Sequence, residues 1–349
     1  MDKSLKPYLS AIRQGLSDRA AARSLNLSKT TARERLLKIK RVGNLTHGNK
    51  GNNYRKPNPE KDKILAVATK YSGFGISHIC ELLESRDGIS VNRETLRRWL
   101  NRPRVRKVPK QRQRRDRRPN FGELLQIDGS FHDWFGDIKA CMINIVDDAT
   151  NMAELHFDEQ ETIESACRCA WNWFTAYGVP QAFYADGRNM YHLDPEDDNQ
   201  NFFTQMCRNL GIRIIMAHSP QAKGRVERWN GVHQRRLVPL MKLDGVRDMV
   251  DANEYLKKYI VEHNKRYARA ADVGNVHKPL PDWAESIDEV CFILIERKLK
   301  NDWTFSYKGK VYQLPRQSIY PPAKSKITVK ITISGKITAY YRWSEINVQ

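Results

Sequence analysis

Residues 101–120 hold ten Arg or Lys and a single acid. A stretch that repels itself this strongly cannot join a core and is extended when alone. The folded parts of the chain must therefore be built on either side of it, and the two sides differ. Residues 1–118 carry 31 Lys and Arg against 10 Asp and Glu, a net of +21; the remainder carries 29 against 30, a net of −1. A basic front third ahead of a nearly neutral body points to a polyanionic partner and separates capture of that partner from the work of the body. The basic segment could follow a phosphate backbone, enter a minor groove, or serve as a solvated linker.

Within the front third, residues 6–41 read as three short helices. Ser17 and Asp18 cap the second, Asn26 makes a turn, and Ser28 caps the third, whose buried stripe is Ala32, Leu36 and Ile39. Small residues at Ala20–Ala22 and a tight turn suit a helix-turn-helix, because its helices must cross closely. Lys29, Thr30 and Arg33 would face a DNA groove; a plain three-helix bundle is the alternative. After a Gly/Asn-rich linker (43–58), a second helical unit runs from 59 to 100. There Asn92 can cap a helix with Arg93, Arg97 and Arg98 outward and Leu96, Trp99 and Leu100 inward. It reads as a second helix-turn-helix or as a basic packing module.

After Pro119 strands alternate with helices. Strands are predicted at 123–130, 138–147 and 151–157, a helix at 163–177, and a strand at 182–185. A helix at 202–210, a strand at 212–217 and a long helix at 222–243 follow. This βββαβαβα order is that of an RNase H-like domain. A further helix spans 252–269, a connector covers 271–302, and residues 303–349 look all-β. Two tight hairpins turn there at Lys308-Gly309 and Ser334-Gly335, which predicts a small barrel. The six cysteines lack paired spacing, so they read as reduced core thiols of a cytosolic protein. No apolar run is long enough for a membrane span or signal. The expected fold is thus multidomain α+β: N-terminal helix-turn-helix domains (1–42 and 59–100), an RNase H-like α/β core with a mixed sheet (120–270), and a C-terminal small β-barrel (303–349).

A carboxylate inside an apolar strand is costly and asks for an explanation. Asp128 is one, in Leu124-Leu125-Gln126-Ile127-Asp128-Gly129. Asp186 closes the strand 182–185, and Glu227 lies on the long helix behind Ser219-Pro220-Gln221-Ala222-Lys223-Gly224-Arg225-Val226. Singly, each could be a turn or cap residue. On these three elements, they can meet at one sheet edge, as phosphodiester chemistry with two divalent ions requires. Lys223, Arg225 and Arg228 would meet phosphates near them, and Asn230 shares a helix face with Glu227. Asp147 and Asp148 are better explained by a strand-ending turn, and no catalytic role is expected of His132 or Asp133.

The stretches GELLQIDGSFHDW (122–134), IVDDAT (145–150) and SPQAKGRVERWN (219–230) resemble DDE transposases of ISNCY-type bacterial insertion sequences, within the retroviral integrase superfamily. The resemblance implies that Asp128, Asp186 and Glu227 form a metal-binding catalytic triad holding two Mg²⁺ (or Mn²⁺) ions. It implies double-stranded DNA partners, both element ends and target, and a dimer or larger homo-oligomer assembled on them. A prokaryotic, cytoplasmic, nucleoid-associated setting goes with it. The DNA contacts expected are Lys29, Thr30 and Arg33, then Arg93, Arg97 and Arg98. Arg104, Arg106, Arg112, Arg114 and Arg115 of the basic linker join them, with Lys223, Arg225 and Arg228 beside the triad. The loop after Asp186 departs from the family pattern by crowding Asp194, Glu196, Asp197 and Asp198. Two other readings stay open: a non-catalytic DNA-binding regulator or domesticated transposase, and a nuclease of the same fold without strand transfer.

Overall fold

The computed structural model describes residues 6–42, 58–103, 116–136, 140–186, 201–217, 224–315, 324–342 and 344–348; for Asp186 it describes the backbone. The chain divides into two compact units, Met1–Val67 and Ala68–Gln349.

In the first unit, α1 (Lys6–Arg13), α2 (Asp18–Arg23) and α3 (Lys29–Val42) close around Tyr8, Ala11, Ala21, Ala22 and Ala32. Four alanines among five core residues let the helices approach closely. Ser17 caps α2 by accepting from the Ala20 amide, Asn26 turns the chain at φ 55°, and Ser28 accepts from the Thr31 amide at 3.0 Å. Helix α4 (Lys61–Thr69) spans the division between the units.

The second unit begins with α5 (Ile76–Asp87) and α6 (Arg93–Trp99). Gly88 ends α5 in the left-handed region at φ 67°, and Asn92 caps α6 through the amides of Glu94 and Thr95. Five strands follow: β1 (Leu125–His132), β2 (Ala140–Asp147), β3 (Ala153–Asp158), β4 (Ala182–Asp186) and β5 (Arg213–Ala217), in the order β3-β2-β1-β4-β5. β1, β2 and β3 are antiparallel neighbours, while β1, β4 and β5 run parallel, so the sheet is mixed. α7 (Ile163–Tyr177) and α8 (Phe202–Asn209) join the core that Leu125, Ile127, Ile143, Ile145, Phe183 and Ala185 build on one face. α9 (Gly224–Leu243) and α10 (Met249–Tyr267) serve the other face, where Val146, Ala153 and Val226 cluster with Trp229. Covered on both sides, β2 is buried at every residue.

Part of the expected connector is a strap across this domain. Phe121 bridges to Asn275 and Val179 to Lys278. Gly122 and Gly178 permit the crossing. Both have positive φ, and a Cβ would lie 2.3 Å from the His277 ring at the first and 2.6 Å from the Lys278 carbonyl at the second.

The C-terminal part corrects an expectation. Both hairpins are present, as β7 (Thr304–Tyr307) with β8 (Lys310–Gln313), and β9 (Lys326–Thr332) with β10 (Ile337–Tyr341). No closed barrel forms among the described residues. β9 and β10 lie in an open four-stranded sheet with β11 (Ser344–Asn347) at one edge and β6 (Phe292–Lys298) at the other, and the first hairpin stands as its own two-stranded sheet. β6 comes from the supposed connector, behind the short helix α11 (Ile287–Val290). Its sequence FILIERK passes from apolar to charged without alternating, so the strand shows only when Ile293 and Ile295 pair with Ile331 and Val329.

Candidate active site

The site grows from a match between two repeats. On β1, Gln126, Asp128 and Ser130 face α9, and every fourth residue of α9 answers them. The Val226 amide donates to Gln126 Oε1 at 3.2 Å, Asn230 Nδ2 to Asp128 Oδ2 at 2.9 Å, and Gln234 Nε2 to Ser130 Oγ at 3.0 Å. Two strand residues advance about 6.6 Å and four helix residues about 6.0 Å, so the ladder holds register over three rungs. Asn144, buried on β2 opposite Asp128, donates to Asn230 Oδ1 at 2.8 Å and fixes which way that amide points. Its own Oδ1 is buried with no hydrogen-bond partner.

Glu227 lies exposed on the first turn of α9, three residues before Asn230. Asp186 enters by strand register. Leu125 and Gln126 pair with Phe183 and Tyr184; Asp128 lies two residues further along β1, and Asp186 two residues further along β4, which it ends. Of the elements bearing the three carboxylates, β1 is thus the neighbour of both β4 and α9. Among the described residues no three metal-capable side chains form a group, and the Asp186 side chain is not one of them. The acids at 194 and 196–198, and Lys223, lie outside the described residues.

Asp147 and Asp148 have structural work. Asp147 is fully buried and accepts from the Gly122 amide at 2.9 Å and from the Thr150 amide and hydroxyl at 2.7 and 2.8 Å. Burial raises its pKa against the pull of those bonds. Asp148 binds Gln126 at 2.8 Å, the Arg118 amide at 2.8 Å and Arg225 at 2.6 Å. The Arg117 guanidinium donates to the Asp148 carbonyl at 2.8 Å, so the end of the basic segment is tied beside the start of α9.

Among the basic residues, Lys29, Thr30 and Arg33 are exposed on α3, as are Arg93 and Arg98 on α6 and Arg228 on α9. Arg97 differs from the outward position expected. It is half-buried, donating to Glu94 at 3.0 and 2.7 Å and to the Arg102 carbonyl at 2.6 Å, because a carboxylate three residues back is within reach. Arg225 is likewise engaged, by Asp148. Arg104, Arg106, Arg112, Arg114 and Arg115 lie outside the described residues. Sequence reasoning missed Gln126 and Asn144, although a lone amide in the apolar strand ACMINIVD was a readable signal.

No protein-family model matches the chain. A Sinorhizobium fredii protein named "Putative transposase y4bF" is 31% identical over 317 residues, covering 86% of this chain and 69% of that protein. The chain belongs to the transposase family. A second transposase, that for insertion sequence IS1202 of Streptococcus pneumoniae, is 26% identical over 387 aligned residues, covering 95% of this chain and 83% of its own length. Among solved structures, the magnesium complex of the HTLV-2 integrase catalytic core domain (dimeric form) overlaps 39% of this transposase chain and 84% of its own, at 18% identity and a TM-score of 0.32. A simian T-cell lymphotropic virus intasome in complex with PP2A regulatory subunit B56 gamma overlaps 80% of this chain and 97% of its own, at 14% identity and a TM-score of 0.38. Scores this low carry no weight for the fold.

Proposed function

We propose that this chain is a DDE transposase of an ISNCY-type insertion sequence, which binds the element ends and performs metal-dependent DNA cleavage and strand transfer. The observation that carries the reading is the β1–α9 ladder. It joins Asp128 of β1 to Asn230, three residues on from Glu227, and β1 is the neighbour of β4, which ends at Asp186. The mixed order β3-β2-β1-β4-β5 supports an RNase H-like core.

The donor chemistry fits a hard divalent cation. Three carboxylates would supply oxygen ligands, and the unpartnered buried Asn144 Oδ1 adds a polar atom on the strand position opposite Asp128. Asp128, Asp186 and Glu227 would hold two Mg²⁺ or Mn²⁺ ions, which supply charge neutralisation at the attacking and leaving oxygens of the phosphodiester. The chain's own part is orientation. Asn144 aims Asn230, Asn230 holds one oxygen of Asp128, and the exposed Arg228 offers a cation to the DNA backbone.

Lys29, Thr30 and Arg33 on α3, with Arg93 and Arg98 on α6, are the proposed helix-turn-helix contacts to element ends; the linker arginines and Lys223 add phosphate contacts. Assembly as a dimer or larger on paired ends, and a cytoplasmic, nucleoid-associated setting, belong to the same reading. No helix among the described residues is long and apolar enough to cross a membrane. The test is purified protein with Mg²⁺ and a labelled element end, with products read for 3′-OH nicking and for joining. Asp128→Asn, Asp186→Asn and Glu227→Gln should each abolish cleavage and leave end binding intact. Wild-type nicking by all three overturns the reading, and nicking by wild type without joining favours the nuclease.

A further inference from the structure

Helix α5 carries two opposite charges five residues apart, and α9 and α10 take up both. Glu81 accepts from Arg236 on α9, and from the Tyr267 hydroxyl on α10 at 2.9 and 3.1 Å, with Arg266 at 3.0 Å. The Arg236 guanidinium also lies over the Tyr267 ring, 5.1 Å from its centre. Near the C-terminal end of α5, Arg86 grips both oxygens of Asp244, just past α9, at 2.6 Å each, and the Tyr255 hydroxyl donates to the same carboxylate at 2.7 Å. The two pairs hold α5 at its middle and near its C-terminal end. The Glu81 contact is largely withdrawn from water: the two side chains are 21% and 17% exposed. Burial pushes the Glu81 carboxyl up, but Arg236, Tyr267 and Arg266 outweigh it and hold the pKa below the ordinary value.

The two ends of α9 thus meet different parts of the molecule. Its first turns carry Glu227 and Asn230; nine residues beyond Glu227, about 14 Å along the axis, Arg236 meets α5. α5 in turn packs against α6, whose buried Leu96 faces inward while Arg93 and Arg98 are exposed.

We infer that Glu81 is a positioning residue: with Arg86 it fastens α5, and through it the basic helix α6, to the catalytic helix α9, so that where α6 rests on an element end decides which phosphodiester reaches the carboxylates. The inference rests on the proposed function, in which α6 touches DNA and Asp128 and Glu227 serve cleavage.

The experiment maps cut positions to the nucleotide on a labelled element end, using the full-length chain with Mg²⁺. Wild type should cut at one dominant position. Glu81→Gln, Arg86→Glu and Asp244→Arg should bind the end as wild type does, yet cut there on the order of 10-fold less, with new cuts at neighbouring positions. The double swap Arg86→Glu with Asp244→Arg should restore the single position. A loss of stability alone would lower the yield without moving the cuts. Wild-type positions in all three single variants overturn the inference, as does a folded double swap that stays scattered. If wild type makes no cut at all, the proposed function falls and takes the inference with it.

Discussion

Asn230→Ala removes the middle rung of the ladder between β1 and α9. Asn230 is 8% exposed, and two bonds go with its amide: the one to Asp128 at 2.9 Å and the one from Asn144 at 2.8 Å. A hydrogen bond to a charged acceptor contributes about 1.5–3 kcal/mol and a neutral one about 1 kcal/mol. Asp128 is only partly buried, so water can replace the first in part. Asn144 is fully buried with its other polar atom already unpartnered, so nothing replaces the second. The variant should lose about 2–3 kcal/mol of stability. Asn144→Ala should lose about 1 kcal/mol, and the double variant less than both together, because the shared bond is broken once. Loss of this hold on Asp128 should slow nicking by about 10–100-fold, and Asn144→Ala should slow it only a few-fold. Denaturant titration reads the first effect, and single-turnover nicking of a labelled end reads the second. If Asn230→Ala unfolds within about 0.5 kcal/mol of wild type and nicks within about 2-fold of it, the ladder does not orient Asp128.

Asp147→Ala strips three bonds from a fully buried turn and should cost about 3–5 kcal/mol in denaturant titration; a stable variant that has lost only activity would move Asp147 among the metal-binding groups. Stability should fall as pH drops from 6.5 towards 4. Burial lowers His78 and His263 to about 4, so the unfolded chain takes up protons across that window while the folded chain does not, at about 3 kcal/mol per histidine. His277, also lowered to about 4 by burial, and His233, lowered further, act in the same direction; Glu154, pushed up to about 7 by burial, and Asp147, raised by burial, oppose them. Denaturation midpoints at three pH values check the sign, and His263→Phe should flatten the slope. Changing Lys29 and Arg33 to Ala should weaken end binding and reduce the slope of log affinity against log salt by about 2, read by fluorescence anisotropy. Asp128→Asn mixed with that binding-defective variant should recover cleavage in trans; no recovery, with a one-protein, one-end mass for the active complex, would mean each subunit cuts its own end.

Much of the core was legible because its signals are local. The helix 163–177 was read at the bounds the structure has, since Thr162 and Gly178 punctuate a clean apolar stripe. The three strands of 123–157 differ from the reading by a residue or two at their ends. Asp147 and Asp148 read as turn residues from a strand ending in IVDDAT, and Asp147 does close that turn with Thr150. Asn144 and Gln126 were not legible as a support for the site. What they do depends on α9, some 80 to 100 residues later in the chain. Arg97 shows the same limit at shorter range: helical phase points it outward, and Glu94 turns it aside.

Separation of a basic front third from a neutral body, the order of strands and helices, and the three elements bearing carboxylates are properties of the chain itself. They follow from charge repulsion and from side-chain periodicity, which act between near neighbours. Tertiary structure alone decided the rest: the order β3-β2-β1-β4-β5, the ladder that hands Asp128 to Asn230, the open sheet completed by β6, and the seating of Glu81 among Arg236, Arg266 and Tyr267. Each of these pairs groups from distant segments, and which distant groups meet depends on how whole faces pack. Glu81 and Arg236 are 155 residues apart, and no local pattern in either helix names the other.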